Sequence, residues 1–275
     1  MSTEKHIARA RELFAELGDG DRTKATRRSM AYFLQEAGAG YDALDPTGQK
    51  SADEMYAEVE RKTYDGNIAG ARACFADLGV DRSRFGNTFP TLYTLRNNLA
   101  EVGASYDVLD PEGKTSAEEM EAEVNERVFW GYIDEARDAF DDIATSITPY
   151  NTISYMEDIL NHAGVGYEAL DPAWKKSAEE MKAEVEKRNL KGYIVEARYR
   201  FDGLREFGDP RRTLHVIKDR LKSAGVGIAA LDPEGKKTAK EMAIILSKRL
   251  KKALKPKNIR AHRRMKRGCP SPAAG

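Results

Sequence analysis

The chain has 275 residues, with 45 basic and 45 acidic side chains and a formal net charge of zero. Hydrophobic residues make up 41% and mean hydropathy is −0.63, so there is apolar material for a core beneath a heavily charged surface. No apolar run approaches the ~18 residues of a spanning helix, which excludes integral membrane association, and two cysteines, Cys74 and Cys269, make no disulfide framework.

The first predicted element is a helix carrying Ile7, Ala10, Phe14 and Leu17, a spacing that places one apolar stripe on a helix. It returns as Ile68, Ala71, Phe75, Leu78, then Ile133, Ala136, Phe140, Ile143, then Ile194, Ala197, Phe201, Leu204. A second helix carries Leu92, Leu95, Leu99 and Val102, matched by Ile153, Met156, Leu160, Ala163 and by Leu214, Ile217, Leu221, Ala224. Arg27 stands where these have Leu92, Ile153 and Leu214, a departure that a terminal unit with an exposed end tolerates. Gly38, Gly103, Gly164 and Gly225 then supply a C-terminal stop able to take φ > 0.

The connector follows. Leu-Asp-Pro occurs at Leu44, Leu109, Leu170 and Leu231, at intervals of 65, 61 and 61 residues. Four extra residues fall in the Gly79–Pro90 stretch of the second unit, which marks a surface loop. Asp-Pro-x-Gly, with Trp174 in place of the Gly in unit three, has the residues of a type I turn. Capping boxes come next, Ser51 with Glu54, Ser116 with Glu119, Ser177 with Glu180 and Thr238 with Glu241. Each opens a third helix that buries Met55, Met120, Met181 or Met242 and runs to about Gly66, Gly131 or Gly192, where the first helix of the next unit starts.

The expected fold is all-α: an α-solenoid or superhelical array of about four three-helix repeats with capping helices, because no unit alone buries much. The helical-repeat domain spans 1–255, with units near 1–50, 51–115, 116–176 and 177–237 and a closing cap helix at 238–255. Residues 256–275 are expected to be a disordered basic tail.

From Met181 to Pro210 the chain resembles a tetratricopeptide or pentatricopeptide hairpin, through Gly192, Glu196, Ala197, Phe201, Leu204, Gly208 and Pro210. Gly131, Glu135, Ala136, Phe140 and Ile143 repeat the spacing. The period and the third helix depart from both families. The resemblance implies partner binding as a class of behaviour, a peptide in a concave groove for the first family and RNA for the second, with no residue carried over.

Catalysis and cofactors are not expected. His6, His162, His215 and His262 hold unrelated positions, and neither His-x-x-x-His nor Cys-x-x-Cys occurs. Gly113-Lys114-Thr115 looks like the end of a phosphate loop, but Val108 stands where its first Gly belongs. Asp-Pro-x-Gly lacks the alternating oxygen ligands of a calcium loop.

Charge offers more. Arg11, Arg72, Arg137 and Arg198 each follow the first-helix Ala. They either pair with carboxylates, for which Glu58, Glu123 and Glu184 are candidates, or line a row for an acidic ligand. Residues 236–275 hold fourteen Lys or Arg against one acid, Glu241, a balance of +13 that leaves −13 on 1–235. Lys251, Lys252, Lys255, Lys257, Arg260, Arg263, Arg264, Lys266 and Arg267 therefore form a basic arm for polyanions, one that reads phosphates rather than sequence.

The expected function is a non-enzymatic interaction scaffold for a protein or peptide, with the arm for polyanion contact; the alternative is a nucleic-acid-associated repeat protein anchored by its tail. The N-terminus MSTEKHIARA has no apolar signal core, so the expected location is an intracellular, reducing compartment, cytoplasmic, or nuclear in a eukaryote.

Overall fold

The structure is a computed structural model that describes residues 2–18, 23–79, 88–204, 206–207 and 209–254. Among the described residues the regular elements are all helical. The helices are α1 (Thr3–Glu16), α2 (Thr23–Ala37), α3 (Ala52–Asp77), α4 (Thr88–Glu101), α5 (Ala117–Asp142), α6 (Pro149–Ala163), α7 (Ala178–Asp202), α8 (Pro210–Ser223) and α9 (Ala239–Ala253). Short 3-10 turns at Tyr41–Leu44, Tyr106–Leu109, Tyr167–Leu170 and Ile228–Leu231 precede each Asp-Pro. No described helix is long and apolar enough to cross a membrane. The chain divides into two compact units, Met1–Asp134 and Glu135–Gly275.

One expectation is corrected at once. The third helix of one repeat does not stop at Gly66 before the first helix of the next begins; both lie on a single helix, α3, of 26 residues. α5 and α7 are continuous in the same way, through Gly131 and Gly192. The physical reason is close approach rather than termination. A Cβ on Gly66 would sit 2.4 Å from Thr23 Oγ1, on Gly131 2.7 Å from Thr88 Oγ1, and on Gly192 2.5 Å from the Ile143 carbonyl oxygen. The glycine lets the first turn of α2, α4 or α6 rest on the long helix, and nothing in a helical glycine breaks the ladder outright.

In the first unit the long helix α3 serves two cores. Met55 and Val59 of α3 pack with Ala10, Leu13, Met30, Leu34 and Leu44. Its second half, Ile68, Ala71 and Leu78, packs with Leu92, Leu95, Leu99, Leu109, Met120 and Val124. Between these halves lie the buried polar residues Thr63 and Asn67, which satisfy themselves within the helix: Thr63 Oγ1 donates to Val59 O at 2.7 Å and Asn67 Nδ2 to Thr63 O at 2.9 Å. In the second unit, Ala197, Phe201, Leu204, Ile217, Leu221, Leu231, Met242 and Leu246 make the corresponding core of the last repeat.

The stops and starts form as read. Gly38, Gly103, Gly164 and Gly225 take φ between 64 and 70°. The N–H of the residue after each reaches back to Leu34, Leu99, Leu160 or Leu221, which satisfies an otherwise unpaired carbonyl. At the other end the Ser51 N–H donates to Glu54 Oε2 at 2.8 Å while Glu54 N–H donates to Ser51 Oγ at 3.3 Å, and Ser116, Ser177 and Thr238 repeat the pair.

Candidate functional site

The four arginines share one geometry, in which each Nε bonds to a backbone carbonyl. Arg11 Nε donates to Ala43 O at 2.7 Å, Arg72 Nε to Val108 O at 2.8 Å, Arg137 Nε to Ala169 O at 2.9 Å and Arg198 Nε to Ala230 O at 2.8 Å. Each half-buried guanidinium thus fastens the first helix of its repeat to the 3-10 turn, two residues before the Asp. Glu58, Glu123 and Glu184, named as their partners, take other cations. Lys50 Nζ is 2.5 Å from Glu58, Arg127 Nη2 is 2.8 Å from Glu123, and Lys176 Nζ is 2.8 Å from Glu184. Arg27, the oddity of the first unit, forms an ion pair with Glu60.

A second cation series was missed in the sequence. Lys62, Arg127, Arg188 and Arg249 stand seven residues after Met55, Met120, Met181 and Met242, an offset as constant as those used above. They donate to the carbonyls of Phe14, Phe75, Phe140 and Phe201, at 3.3, 3.2, 3.2 and 3.0 Å. They also lie over the rings of the same residues, with centroid distances of 4.7, 4.2, 3.8 and 4.1 Å. Each therefore neutralises the last turn of a helix and covers an aromatic face at once.

The Asp of each connector is spent on the turn. Asp45 accepts the N–H groups of Thr47, Gln49 and Lys50, and Asp110 those of Glu112, Lys114 and Thr115. Asp171 and Asp232 do the same for the lysine pairs that follow them. The Thr47 hydroxyl, then the Lys50 and Thr47 N–H groups, hold the Asp45 carboxyl well below the usual range. The N–H groups of Glu112 and Lys114 bring Asp110 down to about 2.

No known protein-family model matches the chain, and no curated protein and no solved structure matches it.

Several cations of the last repeat lie about one cleft. A cleft of ≈ 320 Å³ lies among α7, α9 and the Ile228–Leu231 turn. Arg198, Lys237 and Arg249 border it, and Phe201, Met242 and Ile245 give it apolar walls. An adjoining hollow of ≈ 290 Å³ adds Lys252. Lys251 and Lys252 are exposed at the end of α9. Lys255, Lys257, Arg260, Arg263, Arg264, Lys266 and Arg267 lie outside the described residues, as do His262, Cys269 and Gly208. Among the described residues there is no group of His, Cys, Asp or Glu that could hold a metal ion.

Proposed function

We propose that the chain is a non-catalytic helical-repeat scaffold, an α-solenoid of about four repeats related in behaviour to tetratricopeptide arrays, which binds a protein or peptide partner. One observation carries the reading: the arginine, the connector Asp and the capping box that recur in every repeat help to hold that repeat together. The arginines, the connector Asp residues and the capping boxes all bond to the backbone of their own unit. What differs between copies, above all in the last one, is left for a partner.

A second reading, a polyanion-binding arm, is favoured by the basic character of the C-terminal elements. α8 carries Arg211, Arg212, Lys218 and Lys222, α9 carries Lys240, Lys248, Lys251 and Lys252, and the seven cations from Lys255 to Arg267 follow. In this reading the arm adds salt-sensitive contact with nucleic acid and the repeats supply the partner site.

Two measurements test these readings. The comparison chain ends at Leu254 and not earlier, because α9 buries Met242 and Leu246 in the last core. A peptide-display selection against this shorter chain should enrich sequences that stay bound at about 0.5 M salt, where exposed charge pairs are largely screened; failure to enrich any overturns the scaffold. For single-stranded RNA, the full chain should bind with a log–log salt slope no steeper than about −5, the limit for seven tail cations. The shorter chain should lose most of that binding. Equal RNA binding by both chains removes the tail from the account.

A further inference from the structure

The residue three after the repeated Met is Glu58, Glu123 and Glu184 in three repeats and Ile245 in the fourth. In those three the carboxylate has a defined job. Glu58 holds Lys50, and Glu184 holds Lys176 with Arg188 Nη2 3.7 Å away. Glu123, where Thr115 replaces the lysine, is gripped by Arg127 through Nε at 3.2 Å and Nη2 at 2.8 Å.

The fourth repeat keeps the cations and lacks the acid. Lys237, the counterpart of Lys50 and Lys176, turns instead to Asp232 Oδ1 at 3.2 Å. Arg249 uses Nη1 alone, donating to Phe201 O at 3.0 Å and Asp202 Oδ1 at 2.9 Å. Its Nε and Nη2, the atoms that take Glu123 in the second repeat, have no partner among the described residues. The count agrees with the geometry. At equivalent positions the third repeat has Arg137, Lys176 and Arg188 with Asp141, Asp171 and Glu184; the fourth has Arg198, Lys237 and Arg249 with Asp202 and Asp232, and Ile245 in place of the third acid. One positive charge is left over, beside a cleft of ≈ 320 Å³ with Ile245, Met242 and Phe201 in its wall.

We propose that this cleft binds an acidic side chain of a partner peptide, whose carboxylate occupies the place of the missing internal glutamate. The carboxylate takes the two free nitrogens of Arg249 in the bidentate manner that a planar guanidinium favours, with Lys237 released from Asp232 to join it. Apolar residues next to the acid lie against Ile245 and Met242. Residues 255–275, which follow α9, contain no Asp or Glu to take that place. The proposal rests on the scaffold reading only for the carrier of the carboxylate.

The test uses the full chain and an acetylated, amidated tripeptide, Leu-Glu-Leu, beside its Leu-Gln-Leu counterpart and free acetate. Calorimetry should give a dissociation constant on the order of 1 mM or tighter for the Glu peptide, and about tenfold weaker binding for the Gln peptide and for acetate. Ile245→Glu should restore the internal bridge, abolish peptide binding and leave the thermal midpoint unchanged or higher. Lys237→Thr, a residue the second repeat already carries at this place as Thr115, should fold and bind several-fold more weakly. No binding of the Glu peptide, equal binding of the Gln peptide, or undiminished binding by Ile245→Glu each overturns the site. Acetate binding as tightly as the peptide overturns a peptide as its ligand. If display selection succeeds while these outcomes fail, only this cleft is lost; if selection fails as well, the scaffold goes with it.

Discussion

Trp174 is the only described residue other than glycine with positive φ, at 54°, in a turn where Gly48, Gly113 and Gly235 take 64 to 67°. A Cβ in that region is strained by about 1 kcal/mol. Trp174→Gly should therefore stabilise the protein by up to about 1 kcal/mol, less the extra chain entropy of glycine, and a rise in the urea midpoint would show it. Sequence alone exposed this exception because three copies agree and one does not. It handled the arginines less well. Their constancy was plain, but their partners are backbone carbonyls of a 3-10 turn, and a carbonyl has no residue type to recognise. The glutamates that stood as one candidate set of partners serve Lys50, Arg127 and Lys176. The second cation series was legible as a fixed offset from each Met and went unread.

At the scale of elements, the helices, their stops and their capping boxes were legible because each is written in local residues: periodic apolar positions, a glycine, a hydroxyl three before a glutamate. The union of two helices in α3, α5 and α7 was not, because a glycine that admits a neighbour and one that ends a helix look alike until the neighbour is placed. The distinction predicts unequal effects of the same substitution. Ala is the better helix former by about 1 kcal/mol. At Gly192, however, its methyl would meet the Ile143 carbonyl and Pro149 Cβ at 2.5 and 2.7 Å. Gly192→Ala should be destabilising by about 1–2 kcal/mol net, since backbone has to shift. At Gly131 the nearest atoms, Thr88 Oγ1 at 2.7 Å and Cγ2 at 3.2 Å, belong to a side chain rather than to backbone, so Gly131→Ala should cost less than Gly192→Ala. Denaturant melts of the two variants would decide it; equal losses would mean that the close contact is not what the glycines are for.

Across the whole molecule the connector carboxylates shift in the same direction, each within its own turn. Asp45, Asp110 and Asp171 are all lowered by hydrogen bonds to the turn; at Asp232 burial pushes upward, and the Lys237 N–H and ammonium outweigh it. A carboxyl with a depressed folded value binds fewer protons than its unfolded counterpart, so its stabilisation is complete above the unfolded value of 3.8 and fades as pH falls through the folded one, about 2 for Asp110. Thermal midpoints should hold down to about pH 5 and then drop steeply between about pH 4 and pH 2. Asp110→Asn should lower the midpoint at neutral pH and make the acid limb shallower. An acid limb as steep as that of the parent would place the sensitivity elsewhere.

α3 supplies Met55 and Val59 to one core and Ile68, Ala71 and Leu78 to the next. Melting the core around Leu95 therefore strips the second half from a helix that the neighbouring core still needs, and opens the polar middle at Thr63 and Asn67 to water. Cooperativity runs along a covalent backbone as well as across packed side chains. A chain built this way gains from every added copy, and it gives up the freedom to lose one copy at a time.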